Sequence, residues 1–137
     1  MKKYMLVSIG MIMCILLSAC GSSAKAAPIF LPATEDIISI SVSDDNATAT
    51  CTDGERIGEI MSILMDMEST SKSTINDSPN VGEYVKIDFN SFDDTVTTIF
   101  FYEDRGTQYV EQPYQGIYIP APALNTIISD LLSEADS

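Results

Sequence analysis

Residues 85–112, with the sequence VKIDFNSFDDTVTTIFFYEDRGTQYVEQ, contain the pattern that decides the fold. Apolar and polar residues alternate over 85–90, which predicts a strand with one buried face. The run over 96–102 is rich in Thr, Ile, Phe and Tyr, as strands are, and a third strand is predicted over 108–112. Because the turn formers Asp-Asp and Glu-Asp-Arg-Gly separate the three runs, we expect an antiparallel meander.

A hairpin and a helix are predicted before the meander. Residues 38–42 alternate Ile or Val with Ser, which indicates a half-buried strand, and 47–52 form the second arm of the hairpin. Thr52 and Glu55 have the spacing of a capping box. Apolar residues at helical spacing follow, so we predict a helix from about 53 to 68.

The chain after the meander predicts one short strand and a last helix. Residues 117–119 have strand-like side chains, and Pro120 and Pro122 precede an apolar stripe at helical spacing, made of Leu124, Ile127, Ile128, Leu131 and Leu132. The predicted order is β-β-α-β-β-β-(β)-α. We therefore expect an α+β fold of two layers, in which an antiparallel sheet of about five strands carries two helices on one face.

The first 19 residues are typical of a secretory signal rather than of the folded domain. Lys2 and Lys3 form a positive start, 4–17 is apolar, and small residues follow. The apolar run is shorter than the roughly 20 residues that a spanning helix needs. We predict a signal peptide over 1–19.

Residues 17–20, Leu-Ser-Ala-Cys, resemble the lipobox of bacterial lipoproteins. The resemblance implies transfer of diacylglycerol to the Cys20 sulfur, with cleavage just before that residue. We expect the mature chain to be anchored to the cell membrane on its extracytoplasmic face, because two acyl chains hold a protein stably in a bilayer. Residues 20–30 are predicted as the lipidated cysteine and its tether, and 31–137 as a single domain.

The cysteines leave no internal disulfide in this scheme. Cys14 is removed with the signal and Cys20 carries the lipid, so Cys51 has no partner. The position of Cys51 between threonines predicts a small buried strand residue.

The charge of the chain excludes one class of partner and favours another. The formal net charge is −13, and it becomes −15 because the signal removes Lys2 and Lys3. Such a chain lacks the basic surface that binds nucleic acid, whereas a protein partner with a basic surface suits it. For the same reason, nothing basic draws the domain onto anionic lipid.

The residue types present also limit metals and cofactors. The chain has no His, which is the commonest metal ligand and general base near neutral pH. We expect no cofactor and no zinc site, and a weak calcium site in the acidic turns stays open.

Two segments outside the periodic core are candidates for a binding surface. Residues 69–82 form a polar loop of 14 residues, a length that is often functional. Residues 111–118, Glu-Gln-Pro-Tyr-Gln-Gly-Ile-Tyr, place amides and two tyrosines near the final helix. We expect the two segments to lie together, with a ligand or partner surface made of Asn76, Asp77, Asn80, Gln112, Tyr114, Gln115 and Tyr118. The alternative is that both tyrosine rings cap the edge of the core with their hydroxyls in water.

Several blocks resemble a family of small secreted bacterial proteins that is known only as a domain of unknown function. The blocks are Leu31-Pro32, Asp36-Ile37, 76–81 (NDSPNV), 84–87 (YVKI) and 111–118 (EQPYQGIY). The resemblance covers roughly residues 31–132. It implies an extracellular setting, often with a lipoprotein signal, and it carries no established activity.

The function that we expect is binding. The leading hypothesis is a lipid-anchored extracytoplasmic module that binds an unidentified ligand or partner without catalysis. One alternative is a hydrolase that acts on cell-envelope material through paired carboxylates, and another is an acidic inhibitor or regulator of an envelope enzyme. A deep cleft with two carboxylates would favour the hydrolase, whereas a shallow surface with exposed Tyr114 or Tyr118 would favour the binding module.

Overall fold

The structure is a computed structural model that describes residues 26–136. The predicted signal over 1–19 and the predicted lipidation site, Cys20, lie outside the described residues. Within 26–136, a 3-10 turn at Thr34–Asp36 precedes seven strands and two helices: β1 (Ile37–Ser43), β2 (Thr48–Cys51), α1 (Gly54–Met65), β3 (Glu68–Ser69), β4 (Val85–Ser91), β5 (Val96–Asp104), β6 (Thr107–Gln112), β7 (Gly116–Ile119) and α2 (Ala123–Ala135). Neither of these helices is long and apolar enough to cross a bilayer.

The described strands form one antiparallel sheet in the order β2-β1-β4-β5-β6-β7-β3. The predicted meander is present as β4 to β6, and β7 extends it, so that each strand pairs with the next. The expected α+β class is confirmed, but the sheet has more strands than the expected five. The short strand expected over 117–119 is present as β7, and β3 is additional, because Glu68 and Ser69 pair with the outer edge of β7. A two-residue strand has no periodicity from which the sequence could predict it.

One face of the sheet, which we call the helix face, holds the main core. It is formed by every second strand residue, namely Ile40, Val42, Ile87, Phe89, Ile99, Phe101, Val110 and Tyr118. The apolar stripes of both helices join the same cluster, with Ile57, Ile60, Met61 and Leu64 from α1 and Leu124, Ile127, Ile128 and Leu131 from α2. The expected two-layer arrangement therefore follows from the matching of strand and helix periods.

The first helix begins and ends within the predicted range. Thr52 was the expected cap, but the Asp53 side chain caps α1 instead and accepts the Glu55 N–H at 2.9 Å. The helix ends at Met65 rather than at residue 68, since the chain joins the sheet as β3 shortly afterwards.

Residues 26–30 lie against the domain, although the sequence predicts a tether over this stretch. Ala26 is buried, and its N–H donates to the Thr70 carbonyl at 2.8 Å. The Gln112 side chain accepts the Phe30 N–H at 2.7 Å and donates to the Phe30 carbonyl at 2.5 Å. The folded part thus includes at least five residues before the expected boundary. A backbone hydrogen bond and the Gln112 side chain hold them, and neither contact leaves a pattern in the sequence.

The opposite face of the sheet, which we call the loop face, has a polar cover. Residues 70–84, which connect β3 to β4, lie across its β5–β7 half. The strand residues beneath them are Phe100, Tyr102, Tyr109, Glu111 and Ile117. The β1–β4 half carries polar side chains, and the Asn90 amide donates to the hydroxyls of Ser39 and Ser41 at 3.0 and 3.3 Å.

Candidate binding pocket on the loop face

The loop over 70–84 is attached to β7 before it crosses the sheet. The Thr70 N–H donates to the Ile117 carbonyl, and the Ile117 N–H donates to the Lys72 carbonyl, both at 3.1 Å. The Thr70 hydroxyl donates to the same Ile117 carbonyl at 2.7 Å. The chain therefore continues the edge pairing of β3 for several residues, which fixes the position from which the loop starts.

A buried polar network holds the middle of the loop on the sheet. Glu111 lies on β6 and is only 4% exposed. The Thr74 hydroxyl donates to Glu111 Oε1 at 2.8 Å, and the Tyr102 hydroxyl donates to Oε2 at 3.2 Å. Since a buried carboxylate is costly unless its oxygens have partners, these two hydrogen bonds allow Glu111 to sit beneath the loop.

The Tyr102 phenol stays protonated in this network. Burial raises its pKa well above the ordinary value of 10.0, and the charge and hydrogen bond of Glu111 raise the pKa further. Tyr102 therefore remains a hydrogen-bond donor to Glu111 across the neutral and mildly alkaline range.

A cavity of about 540 Å³ lies between the loop and the sheet, and we call it the loop-face pocket. The rings of Tyr102 and Tyr109 form part of its floor, with centroids 5.6 Å apart and planes inclined at 35°. The polar residues that line it include Lys72, Asn76, Asn80, Asp104 and Glu111. Its volume lies in the range of roughly 300–1,000 Å³ that is usual for small-molecule sites.

Asp77 and Tyr114 join the loop to the turn between β6 and β7. The Tyr114 hydroxyl donates to the Asp77 carboxylate, and this hydrogen bond raises the pKa of the phenol. Tyr114 has a φ of 61°, a left-handed conformation that costs energy in a residue other than glycine. The contact with Asp77 supports this conformation and fixes the turn to the loop.

The two segments that the sequence analysis singled out lie in contact. Asn76 and Asn80 line the loop-face pocket, whereas Asp77 and Tyr114 form the hydrogen-bonded pair described above. Gln115 is half-buried and lines a separate shallow cavity at the β6–β7 turn. That these residues bind a ligand stays a prediction.

Gln112 and Tyr118 do not lie on the surface for which they were predicted. The Gln112 amide is occupied by the Phe30 backbone. Tyr118 is 0% exposed and donates its hydroxyl to the Ala27 carbonyl, and burial raises the pKa of its phenol. Both side chains lie on the helix side of their strands, as the pairing of Tyr118 with Val110 shows. Their predicted exposure is wrong because strand alternation directs them inward.

Tyr102 and Tyr109 were not among the predicted site residues, although the sequence contains a signal for them. In the predicted meander these aromatic residues occupy outward positions, where a strand that faces water usually carries polar side chains. Such positions indicate that another segment covers that face. The burial of Glu111 gives no such signal, because it depends on a loop without periodicity.

The acidic turns use their carboxylates locally. Asp44 Oδ1 accepts the N–H groups of Asn46 and Ala47, both at 2.8 Å. Asp93 accepts the hydroxyl and the N–H of Thr95, and these hydrogen bonds lower the pKa of its carboxyl. Within the part of the chain that the structure describes, no cluster of three or more His, Cys, Asp or Glu is arranged to hold a metal ion.

Comparison with known proteins places the chain in a family. The family DUF5301, described as "Domain of unknown function (DUF5300)", matches residues 25–119, a range that contains every strand and the loop-face pocket. The chain belongs to this family. A similar solved structure is the NMR structure of a protein from Ruminococcus gnavus, which shares 33% identity and a TM-score of 0.60, over 68% of this chain and 91% of that chain. No curated protein matches the chain.

Proposed function

We propose that the protein is a lipid-anchored extracytoplasmic binding module whose loop-face pocket holds an uncharged, hydroxyl-rich ligand, with saccharides as the first class to test. The observation that carries the proposal is the pocket itself, in which tyrosine rings, side-chain amides and hydroxyls surround about 540 Å³. An antiparallel sheet can leave one face open to water. The sheet therefore does not need the loop over 70–84 as a cover, and a loop held above this face by a buried network supports a role in binding.

The pocket presents ring surface and hydrogen-bonding groups in one place. Tyr109 is only half-buried, so part of its ring remains available to the apolar face of a ligand. Asn76 and Asn80 are exposed on the loop wall, and each side-chain amide both donates and accepts hydrogen bonds. A pyranose ring, with one apolar face and several hydroxyls, matches this combination.

The charges in the pocket favour a ligand without net charge. Lys72 and Asp104 both line the cavity, so neither sign of charge dominates its opening. The remaining carboxylate, Glu111, already accepts hydrogen bonds at both oxygens.

The spacing of the carboxylates favours binding over hydrolysis. In the β5–β6 register Glu111 lies opposite Phe100. Phe100 is four residues from Asp104 along β5, so the backbones at Glu111 and Asp104 are about 13 Å apart. Hydrolases that use a carboxylate pair hold the two carboxyl groups roughly 5–10 Å apart. Thr74 and Tyr102 already occupy both Glu111 oxygens, so Glu111 is poorly placed to act with Asp104 as such a pair.

The anchor part of the proposal rests on residues 17–20 and their resemblance to a lipobox. The test is to express wild type, Cys20→Ala and Cys51→Ala in a bacterium that modifies lipoproteins. We expect diacylglycerol on Cys20 by mass spectrometry and membrane attachment for wild type and Cys51→Ala, because Cys51 is buried in the domain. A wild-type chain without lipid would contradict the anchor.

The binding part is tested by titration with defined saccharides. ¹⁵N-labelled protein is titrated with chitotriose and with its fully deacetylated, cationic analogue. We expect the neutral trimer to bind more tightly, Tyr109→Ala to weaken binding by about tenfold, equivalent to roughly 1.4 kcal/mol, and Tyr109→Phe to retain it. Equal affinity of wild type and Tyr109→Ala, or preference for the cationic trimer, would refute the proposed ligand class.

A further inference from the structure

Three segments of the chain lie at one end of the sheet. Because β1 and β4 are antiparallel, β1 starts where β4 ends, and Ile37 pairs with Ser91 there. The β4–β5 turn and the β6–β7 turn lie at the same end, since the meander returns to it after every second strand. The segment before β1 also lies there, because Phe30 is bonded to Gln112 at the end of β6. We call this the N-terminal end of the sheet.

Each of the three segments exposes an aromatic side chain at this end. Phe30 is 65% exposed, Phe92 is 70% exposed and Tyr114 is 65% exposed. Phe30 borders two cavities, one shared with Tyr114 and the other with Phe92. Single exposed apolar residues are ordinary, but neighbouring ones from separate segments form a patch that indicates contact with another surface. We call these residues the aromatic trio.

The described chain also begins at the N-terminal end. Gly116, at the start of β7, lets Ala26 approach so closely that a Cβ on the glycine would collide with the Ala26 Cβ. Six residues, 20–25, precede Ala26, and the first of them is Cys20. Even fully extended, they span at most about 20 Å. A lipid on Cys20 would therefore hold this end of the sheet, and not the other, near the bilayer.

We propose that the aromatic trio rests in the interfacial region of the membrane to which the chain is anchored, an inference that depends on the proposed lipidation of Cys20. Aromatic side chains favour this region because it accommodates both rings and hydroxyls. The short tether keeps the trio at a high effective concentration near lipid, so a weak contact is sufficient. The occupant of the patch is thus the bilayer surface.

Apolar burial, and not charge, drives this contact. Asp36 and Asp93 line the cavity between Phe30 and Phe92, and among residues 26–136 no Lys or Arg lines either cavity of the trio. Anionic headgroups therefore repel this end, and salt screens the repulsion. We expect deeper contact with phosphatidylcholine than with phosphatidylglycerol, and the difference should shrink at high salt.

The contact orients the candidate binding site. The loop-face pocket extends to Asp104, beside the β5–β6 turn. This turn lies at the opposite end of the sheet from the aromatic trio. The resting position of the domain therefore leaves that end of the pocket open to the external medium.

A tryptophan reporter tests the proposal, because the chain contains no Trp. The full chain carrying Phe92→Trp is produced in lipidated form and reconstituted in phosphatidylcholine vesicles that contain brominated phosphatidylcholine. The matched control is Tyr84→Trp, at the far end of β4 about 25 Å away. We expect brominated lipid to quench the Phe92→Trp protein several-fold more than the Tyr84→Trp protein, and Phe30→Ser with Tyr114→Ser to reduce that quenching.

The outcomes separate this inference from the anchor on which it rests. If mass spectrometry finds the lipid on Cys20 but both reporters are quenched equally, the anchor stands and the aromatic contact is overturned. If no lipid is found, both fail. If the Phe92→Trp emission shifts on addition of oligolysine and not on vesicles, the patch serves a basic partner, and the membrane contact is likewise overturned.

Discussion

The helix face and the loop face are built from the same strands but are covered in different ways. On the helix face, two amphipathic helices and alternate strand residues bury one continuous apolar core. On the loop face, a segment without regular structure covers half of the sheet through the contacts of Thr74, Glu111 and Tyr102, and it leaves a cavity. The helices are held by many apolar contacts, whereas the loop over 70–84 is held by a few hydrogen bonds.

The difference indicates that the helix face provides most of the stability, and it supports the proposal that the loop face binds the ligand. An apolar core is a sum of many small contacts, so no single one is essential to its shape. A buried polar network is stable only when every member has a partner. The loop face can therefore open locally without unfolding of the sheet, as ligand-binding segments commonly do.

Truncation on the helix face should have the largest effect. Leu64 is fully buried in the core, while its neighbour Met65 is exposed. We expect Leu64→Ala to lower the free energy of unfolding by about 2–5 kcal/mol and Met65→Ala to change it by less than about 0.5 kcal/mol. Urea denaturation followed by circular dichroism measures both, and equal effects would contradict the assignment of the core.

Removal of the buried Glu111 carboxylate should loosen the loop over 70–84 from the sheet. We expect Glu111→Ala to destabilise the protein by about 2–3 kcal/mol, because it leaves the hydroxyls of Thr74 and Tyr102 without a partner. Glu111→Gln keeps an acceptor and should cost less. Hydrogen exchange should show faster exchange over residues 70–84 in Glu111→Ala. Unchanged exchange in this loop would show that the network does not hold it.

The docking of the first described residues depends on a glycine. Gly116→Ala should force Ala26 away and cost about 1–3 kcal/mol by overpacking. The matched control is Gly58→Ala on α1, where nothing lies within 4 Å of an added Cβ. Proteolysis should cleave near residue 26 faster in Gly116→Ala than in wild type. Equal cleavage rates would contradict the docking of the segment.

Alkaline pH should reveal the buried phenol of Tyr102. Well below pH 10.0 the phenol is neutral in both the folded and the unfolded state. As the pH rises above 10.0, the unfolded chain loses the proton first, because the folded pKa is raised, and the stability falls. We expect Tyr102→Phe to cost about 1 kcal/mol at neutral pH and to show a shallower decline above pH 10. A parallel decline in both proteins would exclude Tyr102 as its source.

The sequence predicts the helix face well because that face obeys two periods. The alternations over 38–42 and 85–90 and the apolar stripes of both helices place the buried residues of β1, β4 and the helices in the core, with Ile38 as an exception that is exposed. Turn formers between the strands then leave an antiparallel meander as the simplest arrangement. Among the described strands only β3 is not predicted, since a strand of two residues shows no periodicity.

The loop face is not predictable in the same way. The position of Thr74 above Glu111 depends on how a non-periodic loop returns across the sheet, and no local propensity encodes that path. Tyr118 was placed on a surface because of its residue type, whereas its strand register directs it into the core. The docking of Ala26 likewise depends on backbone hydrogen bonds made far along the chain.

Amide shifts recorded during titration with chitotriose show which face of the sheet contacts the ligand. We expect the perturbed amides to belong to residues 71–81 and 102–111, which surround the loop-face pocket. Amides of α1 and α2 should stay unchanged. Perturbations centred on the helices, or absence of any change in residues 71–81 at saturation, would contradict the claim that the loop face is the binding face.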